Sequence, residues 1–370
     1  MDIRIQGSGG VLGWPEPGCR CASCLRARSA GISRAPSRVI VDGTVALGGR
    51  TPGWAGGTRR EPTGHQVTRL PGGWEITAPD GARLFCAVPG GAAPAVPPGT
   101  APYDMALLDL LGDPAGLGRL RADGVVTSAT VVAALFADHR VISERELARR
   151  CRIWRAVLPR DGDSFSVPAP DAETAAAPWP HPFRVLVLGG ARSGKSEEAE
   201  MRVAAEPSVT YVATGPAALD TTGRDSGGAG DGGDAEWAAR IAAHRARRPQ
   251  WWRTVESTDL AGALRQTRGA ILVDSMTTWL AAAMDECGVW AGSPAAAELL
   301  EARIAELRMA WRQASAYVVA VSDETGLGIV PETPSGRMFR DELGRLNQHL
   351  AAESDEVTFV VAGRALTLPD

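Results

Sequence analysis

The sequence predicts an α/β protein whose C-terminal half is a mostly parallel sheet with flanking helices. Short apolar runs rich in β-branched residues have the length of strands buried on both faces, at residues 184–188, 209–213, 270–273, 317–321 and 357–361. Helical periodicity fills most of the intervals between them, most clearly at residues 297–315 and 338–352. The N-terminal half instead combines strands with turns, which predicts a smaller, β-rich α+β domain.

Composition and charge exclude several classes of protein. The chain has 370 residues, of which 44% are hydrophobic, and this is enough for a packed core. No apolar run reaches the roughly 18 residues of a membrane span, and the N-terminus lacks the basic-then-apolar order of a signal peptide. A net charge of −4 argues against a general nucleic-acid-binding protein. Six cysteines are too few for a disulfide scaffold, so we expect a reducing, cytoplasmic location.

Two stretches separate or interrupt the predicted domains. Residues 166–183 are rich in proline and alanine, which predicts an extended linker between domains at residues 1–165 and 184–370. Residues 221–234 contain no apolar residue larger than alanine and predict a mobile loop. Within the N-terminal domain we expect strands at residues 39–42 and 105–111, a turn at Asp123-Gly124 and a helix over residues 144–157.

A glycine-rich segment follows the first strand of the C-terminal half. It matches the pattern G-x-x-x-x-G-K-[ST] and consists of Gly189, Gly190, Ala191, Arg192, Ser193, Gly194, Lys195 and Ser196. Between a strand and a helix, such a loop directs backbone N–H groups and the helix N-terminus at phosphate oxygens. We expect Lys195 to reach the β- and γ-phosphates of a nucleoside triphosphate. Ser196, together with Asp274 at the end of a later strand, is expected to bind Mg²⁺. The segment therefore predicts a P-loop NTPase-like fold.

The use of lysine supports this interpretation. Among 39 lysine and arginine residues only Lys195 is a lysine. An ammonium that touches phosphate as a point charge cannot be exchanged freely for a planar guanidinium, so this position is expected to need the ammonium.

A basic helix is predicted around His244. On a helix, Arg240, His244 and Arg248 are four residues apart and share one face. A neutral imidazole among guanidinium groups is suited to attack a phosphorus atom while the arginines offset phosphate charge. The alternative is a surface helix with a solvated basic face.

Several further segments occur in a characteristic order with the phosphate loop, at residues 211–214, 239–249, 252–256, 322–332 and 339–348. In this combination, residues 184–370 resemble the adenosylcobinamide kinase / adenosylcobinamide-phosphate guanylyltransferase family of cobalamin biosynthesis. The resemblance implies a transferase that phosphorylates the aminopropanol hydroxyl of adenosylcobinamide with ATP or GTP. It then implies transfer of GMP from GTP through a guanylylated histidine, with release of pyrophosphate. It also implies a homo-oligomer, with a trimer as the expected form.

The resemblance implies roles for individual residues as well. His244 is the only histidine in the matching segment and inherits the role of nucleophile. Arg245 and Arg248 are either phosphate contacts or solvated surface charges. Two alternatives to the bifunctional enzyme stay open: a P-loop kinase without guanylyl transfer, and an NTP-dependent regulatory or scaffold protein.

Other positions match nucleotide contacts of the family. Glu256 and Asp274 correspond to acidic positions that contact the guanine nucleotide or its metal, and Thr214 corresponds to a contact at a strand end. Trp251 and Trp252 either stack on a base or pack in the core or a hinge.

Three thiols lie within six residues near the N-terminus, at Cys19, Cys21 and Cys24. Closely spaced thiolates are typical of tetrahedral zinc, although three unrelated cysteines remain the alternative. The expected sources of a fourth ligand are His139, His65 and Cys86.

The first 50 residues carry a second resemblance. Residues 7–15, the cysteines and residues 37–43 resemble the start of metallo-β-lactamase-fold phosphodiesterases, in which such a cysteine cluster binds structural zinc. The catalytic H-x-H-x-D-H pattern of that superfamily is absent, so we expect a truncated relative without a binuclear metal centre. The role of this domain could be docking, stabilisation or substrate presentation, and the sequence does not distinguish between them.

Overall fold

A computed structural model describes residues 1–48, 57–168, 183–215 and 248–369. These residues form two compact units. The first contains the described residues up to 168 together with residues 204–207, and the second contains residues 183–203 and the described residues from 208 onward. His244, Arg245, most of the predicted linker and the predicted loop at residues 221–234 lie outside the described residues.

Two sheets form the framework of the first unit. One contains β1 (Asp2–Gly7), β2 (Arg38–Val41), β3 (Val45–Gly48) and β10 (Ser164–Ser166), in the antiparallel order β10-β1-β2-β3. The other contains β4 (Gly57–Arg60), β5 (Gln66–Leu70), β6 (Gly73–Thr77), β7 (Arg83–Ala87), β8 (Met105–Leu108) and β9 (Val131–Ala134) in chain order. Pairing is antiparallel from β4 to β7 and parallel from β7 to β9. The metallo-β-lactamase resemblance of this unit stays a prediction.

Three helices of the first unit begin at side-chain caps. They are α1 (Ala22–Ser29), α2 (Pro114–Ala122) and α3 (Glu144–Ile153). The Cys21 thiol accepts from the N–H of Cys24, Asp113 caps α2, and Ser143 caps α3. Each cap satisfies a backbone donor that the helix itself cannot.

The second unit is built on one seven-stranded sheet. Its strands are β11 (Phe183–Gly189), β12 (Val209–Ala213), β13 (Arg253–Glu256), β14 (Ala270–Asp274), β15 (Tyr317–Asp323), β16 (Glu356–Val361) and β17 (Arg364–Thr367). The order is β13-β12-β14-β15-β11-β16-β17. All neighbours pair in parallel except β16 and β17. The predicted, mostly parallel sheet is confirmed.

Helices cover this sheet and bury it from both sides. They are α4 (Lys195–Val203), α5 (Leu260–Gln266), α6 (Met276–Cys287), α7 (Pro294–Gln313) and α8 (Pro334–Ala351). Along β15, Val318 and Ala320 join one apolar cluster, while Val319 and Val321 join the other. Because both sets are buried, residues 317–321 are apolar on both faces of the strand, as a central parallel strand requires. Among the helices that the structure describes, none has the length and apolar character needed to cross a bilayer.

Several predicted boundaries are wrong. The helix predicted to reach residue 157 ends at Ile153, because Arg155 has φ 53° and Val157 then forms a bridge with Ala133. The strand predicted over 105–111 ends at Leu108, where a turn begins. Ser166 belongs to β10 rather than to the linker, since it pairs with Asp2.

One predicted strand is less buried than expected. β16 mixes buried and partly exposed residues, and Val361 is 46% exposed. The physical reason is its position beside β17, the terminal strand, most of whose residues are exposed.

Candidate functional site

The phosphate loop lies at the carboxyl edge of the sheet in the second unit. β11 ends at Gly189 and α4 begins at Lys195. Gly194 has φ 97°, a conformation that favours glycine. A Cβ atom on Gly189 would lie 2.4 Å from Ser193 Oγ and 2.8 Å from the carbonyl oxygen of Val360, so only glycine fits there. Ser193 Oγ is buried without a hydrogen-bond partner within the described chain, as expected of a loop shaped for an oxygen-rich ligand.

Lys195 is held at the mouth of this loop. Its Nζ lies 2.8 Å from Asp323 Oδ1 and 3.2 Å from the carbonyl oxygen of Gly190. Asp323 is the last residue of β15, and the parallel register places it opposite Gly189. Asp323 was not among the predicted site residues, although it ends β15 as Asp274 ends β14.

Asp274 lies on the neighbouring strand and is hydrogen-bonded to a buried tyrosine. Tyr211 Oη donates to Asp274 Oδ2 at 2.7 Å. The guanidinium carbon of Arg248 lies 3.4 Å from the centre of the Tyr211 ring, a cation–π contact. Burial raises the pKa of Tyr211, so it stays a neutral donor to the carboxylate. Tyr211 was not predicted as a site residue and links Arg248 to Asp274.

Glu256 joins the same edge from β13. The register aligns Glu256 with Ala213, and Ala213 with Asp274, across three adjacent parallel strands. Glu256 is exposed there. Parallel strands in α/β sheets present their carboxyl ends to ligands, so this row lies where a nucleotide is expected.

Thr214 does not fit its predicted role as a nucleotide contact. Its hydroxyl donates to the carbonyl oxygen of Ser275 at 2.5 Å and lies 2.7 Å from Thr278 Oγ1. The residue is 1% exposed. These contacts connect the end of β12 to the start of α6, so Thr214 holds these two elements together beside the site.

The two tryptophans differ. Trp252 is 7% exposed and belongs to the core on one face of the sheet, as the packing interpretation expects. Trp251 is 38% exposed.

The residues expected to hold Mg²⁺ have suitable chemistry. Ser196 is the second residue of α4, and Asp274 ends β14 at the same edge of the sheet. A hydroxyl and a carboxylate are oxygen donors of the kind that Mg²⁺ prefers alongside phosphate oxygens.

A separate cluster of metal-binding side chains lies in the first unit. One ligand atom from each of Cys19, Cys21, Cys24 and His139 lies within 4.8 Å of the others. Nδ1 of His139 is also 3.1 Å from a carboxylate oxygen of Glu16. Burial, with the neighbouring thiols, raises the pKa of Cys24 to about 11. Three sulfurs and one imidazole are the donor set of a closed zinc site.

The other two proposed sources of a fourth ligand lie elsewhere. His65 Nε2 is 2.7 Å from Asp42 Oδ2, and its Nδ1 is 2.8 Å from Thr63 Oγ1. Cys86 is buried in β7. Neither side chain belongs to the cluster of three thiols and one imidazole that the described residues form.

Comparisons with known proteins identify relatives of the C-terminal half of the chain, which contains the phosphate loop. A sequence model of the family described as cobinamide kinase / cobinamide phosphate guanyltransferase matches residues 185–368. The bifunctional adenosylcobalamin biosynthesis protein CobP of Pseudomonas aeruginosa is 40% identical over 192 residues, which are 50% of this chain and 97% of that protein. The chain belongs to the cobinamide kinase / cobinamide phosphate guanyltransferase family.

A second relative of the family aligns over nearly the same number of residues. The bifunctional adenosylcobalamin biosynthesis protein CobU of Escherichia coli is 37% identical over 189 residues, which are 48% of this chain and 96% of that protein. A crystal structure of Zn²⁺-bound PqqB from Methylobacterium extorquens is 14% identical with a TM-score of 0.31, and it covers 45% of this chain and 100% of its own. A TM-score this low does not establish a shared fold.

Proposed function

We propose that this protein carries out two successive transfers on cobinamide. First, a nucleoside triphosphate phosphorylates the aminopropanol hydroxyl of adenosylcobinamide. Second, GMP from GTP is joined to that phosphate, which gives adenosylcobinamide-GDP and pyrophosphate. The observation that carries this proposal is the family match over residues 185–368, which spans the phosphate loop and the whole carboxyl edge of the sheet.

Phosphate recognition belongs to the loop from Gly189 to Ser196. Backbone N–H groups and the N-terminus of α4 offer positive potential to phosphate oxygens. Lys195 turns from Asp323 to the β- and γ-phosphates when nucleotide binds. Ser196 and Asp274 would hold Mg²⁺, which would offset the negative charge of the phosphates.

Guanylyl transfer is assigned to His244. The neutral imidazole attacks the α-phosphorus of GTP, an N–P bond forms, and the bond to the α,β-bridging oxygen breaks so that pyrophosphate leaves. A phosphate oxygen of the cobinamide phosphate then attacks the same phosphorus and releases the histidine. Arg245 and Arg248 offset phosphate charge, and Glu256 contacts the guanine nucleotide.

The test uses GTP labelled at the α-phosphate. The intact protein is incubated with it and Mg²⁺, denatured, and analysed for retained label. We expect label that is acid-labile and base-stable, that is absent from His244→Ala, and that is unchanged in the control His349→Gln. Absence of label from wild-type protein that binds GTP would refute the covalent mechanism. Phosphorylation of cobinamide would then mark a kinase only, and its absence would mark a regulatory protein.

We also propose that Cys19, Cys21, Cys24 and His139 bind one structural zinc ion. The proximity of their ligand atoms supports it. Zinc content of the purified protein measures it: about one ion per chain is expected in wild type and in Cys287→Ser, a cysteine outside the cluster, and much less in Cys24→Ser. Full zinc content in Cys24→Ser would refute this site.

A homo-oligomer, with a trimer as the expected form, is part of the same proposal. Sedimentation of the full chain measures it, and a monomer at enzyme concentrations used for assay would refute it.

A further inference from the structure

A carboxylate stands beside the reacting end of the phosphate loop and has no role in the mechanism above. Asp323 Oδ1 lies 2.8 Å from Lys195 Nζ, the ammonium that is directed at the β- and γ-phosphates. Asp274, the other carboxylate at this edge of the sheet, lies at an earlier position along the strand direction. It pairs with Val321, two residues before Asp323, so Asp323 extends about 6.6 Å further along the strand direction.

The backbone of Asp323 is held from two sides. Its N–H donates to Thr277 Oγ1 on α6 at 2.9 Å, and its carbonyl oxygen accepts from Asn347 Nδ2 on α8 at 3.1 Å. Asn347 is 4% exposed, and its Oδ1 accepts from the buried Ser322 hydroxyl at 2.7 Å. This network fixes the backbone position from which the carboxylate extends, as suits a group that must receive a proton at a defined distance.

Nucleotide binding changes the surroundings of this carboxylate. When Lys195 turns to the phosphates, Asp323 is left next to a triphosphate of the same charge. Such a carboxylate needs a proton donor or a metal, and the proposed Mg²⁺ is assigned to Ser196 and Asp274. The hydroxyl of the phosphoryl acceptor is the donor that the reaction itself supplies.

We propose that Asp323 is the catalytic base of the phosphoryl transfer step; this rests on the proposed kinase function. The carboxylate of Asp323 takes the proton of the acceptor hydroxyl. The hydroxyl oxygen forms a bond to the γ-phosphorus while the bond from that phosphorus to the β,γ-bridging oxygen breaks. The nucleoside diphosphate leaves with the electron pair of that bond, so charge and protons balance.

The chain that follows Asp323 has the character of an acceptor-binding surface. Leu327, Ile329 and Val330 are 76%, 96% and 56% exposed. Three exposed apolar side chains within four residues, next to a phosphate site, are typical of a ligand-binding surface. These apolar side chains suit an acceptor whose hydroxyl is attached to a large, partly apolar ring system, and a corrin is such a ring.

The experiment separates the two transfers. Full-length wild type, Asp323→Asn, Asp323→Glu and the control Glu324→Gln are assayed for phosphorylation of cobinamide with γ-labelled nucleotide. The same proteins are assayed for self-labelling with α-labelled GTP and for nucleotide affinity. We expect Asp323→Asn to lose about 100-fold or more in phosphorylation. Self-labelling and affinity should stay within about threefold, because neither needs a base for the acceptor hydroxyl.

Each other outcome overturns the assignment in a recognisable way. Phosphorylation by Asp323→Asn within tenfold of wild type would show that no base is needed there. A parallel loss of phosphorylation, self-labelling and affinity would show that Asp323 only positions Lys195. Should Asp323→Asn fail to fold, Asp323→Glu decides instead: it must lose more than tenfold in phosphorylation alone. Wild type that phosphorylates no cobinamide would refute the proposed function, and the assignment with it.

Discussion

Replacement of Lys195 by arginine tests why a chain rich in arginine has this single lysine. The Lys195 side chain is 13% exposed, and its Nζ contacts both Asp323 and the carbonyl oxygen of Gly190. A guanidinium can still pair with the Asp323 carboxylate, but it is planar and larger than the ammonium. Because the pair is partly solvated, we expect Lys195→Arg to change the free energy of unfolding by less than about 1 kcal/mol.

The effect on catalysis should be much larger. A hydrogen bond from a charged donor contributes about 1.5–3 kcal/mol, and a planar group at this loop cannot replace the point contact of the ammonium with the β- and γ-phosphates. Lost in the transition state, this energy corresponds to roughly ten- to 150-fold in kcat/KM for phosphorylation. Lys195→Ala removes the charge as well and should lose at least as much.

The assay is transfer of γ-labelled phosphate to cobinamide, together with thermal unfolding of each variant. Arg345→Lys, an exposed position on α8, is the matched control and should behave as wild type. Lys195→Arg with kcat/KM within threefold of wild type would refute the reasoning, because it would show that any positive charge suffices at the loop.

Three further changes test other parts of the structure. Removal of zinc by a chelator should lower the melting temperature by several degrees, and re-addition of zinc should restore it, because the binding of a structural metal stabilises the folded state. Calorimetry before and after re-addition measures the melting temperature. Trp311 lies on α7 and is 0% exposed in the core, so Trp311→Ala should lower the free energy of unfolding in urea by about 3–5 kcal/mol. A loss below about 1 kcal/mol would contradict the packing described. Burial alone would raise the pKa of Glu146, but hydrogen bonds from Arg149 and Arg150 outweigh it and lower that pKa. Their stabilisation is therefore present above the unfolded pKa, about 4.3, and is lost as the pH falls through the lower folded value. Glu146→Gln should destabilise at pH 7 and progressively less as the pH is lowered below about 4.3, whereas a loss that does not change with pH would contradict the assignment.

Local sequence patterns predicted much of the second unit. A strand inside a parallel sheet is a short run that is mostly apolar and β-branched, and a phosphate loop has fixed spacing, so β12 is observed at its predicted bounds and the loop lies between β11 and α4. The ends of elements were less predictable. α3 stops at Ile153 because Arg155 adopts a left-handed conformation that the helical spacing of apolar residues does not reveal.

The sequence by itself determined the phosphate loop, most individual strands of the parallel sheet and the three clustered thiols, because each depends on residues close together in the chain. Only the tertiary structure decided which distant side chains meet them. His139 rather than His65 lies beside the thiols, since His65 is held by Asp42. Asp323 is 128 residues from Lys195 and meets it because parallel pairing aligns β15 with β11. The spacing of residues along the chain does not predict such contacts, because they depend on the order and register of the strands.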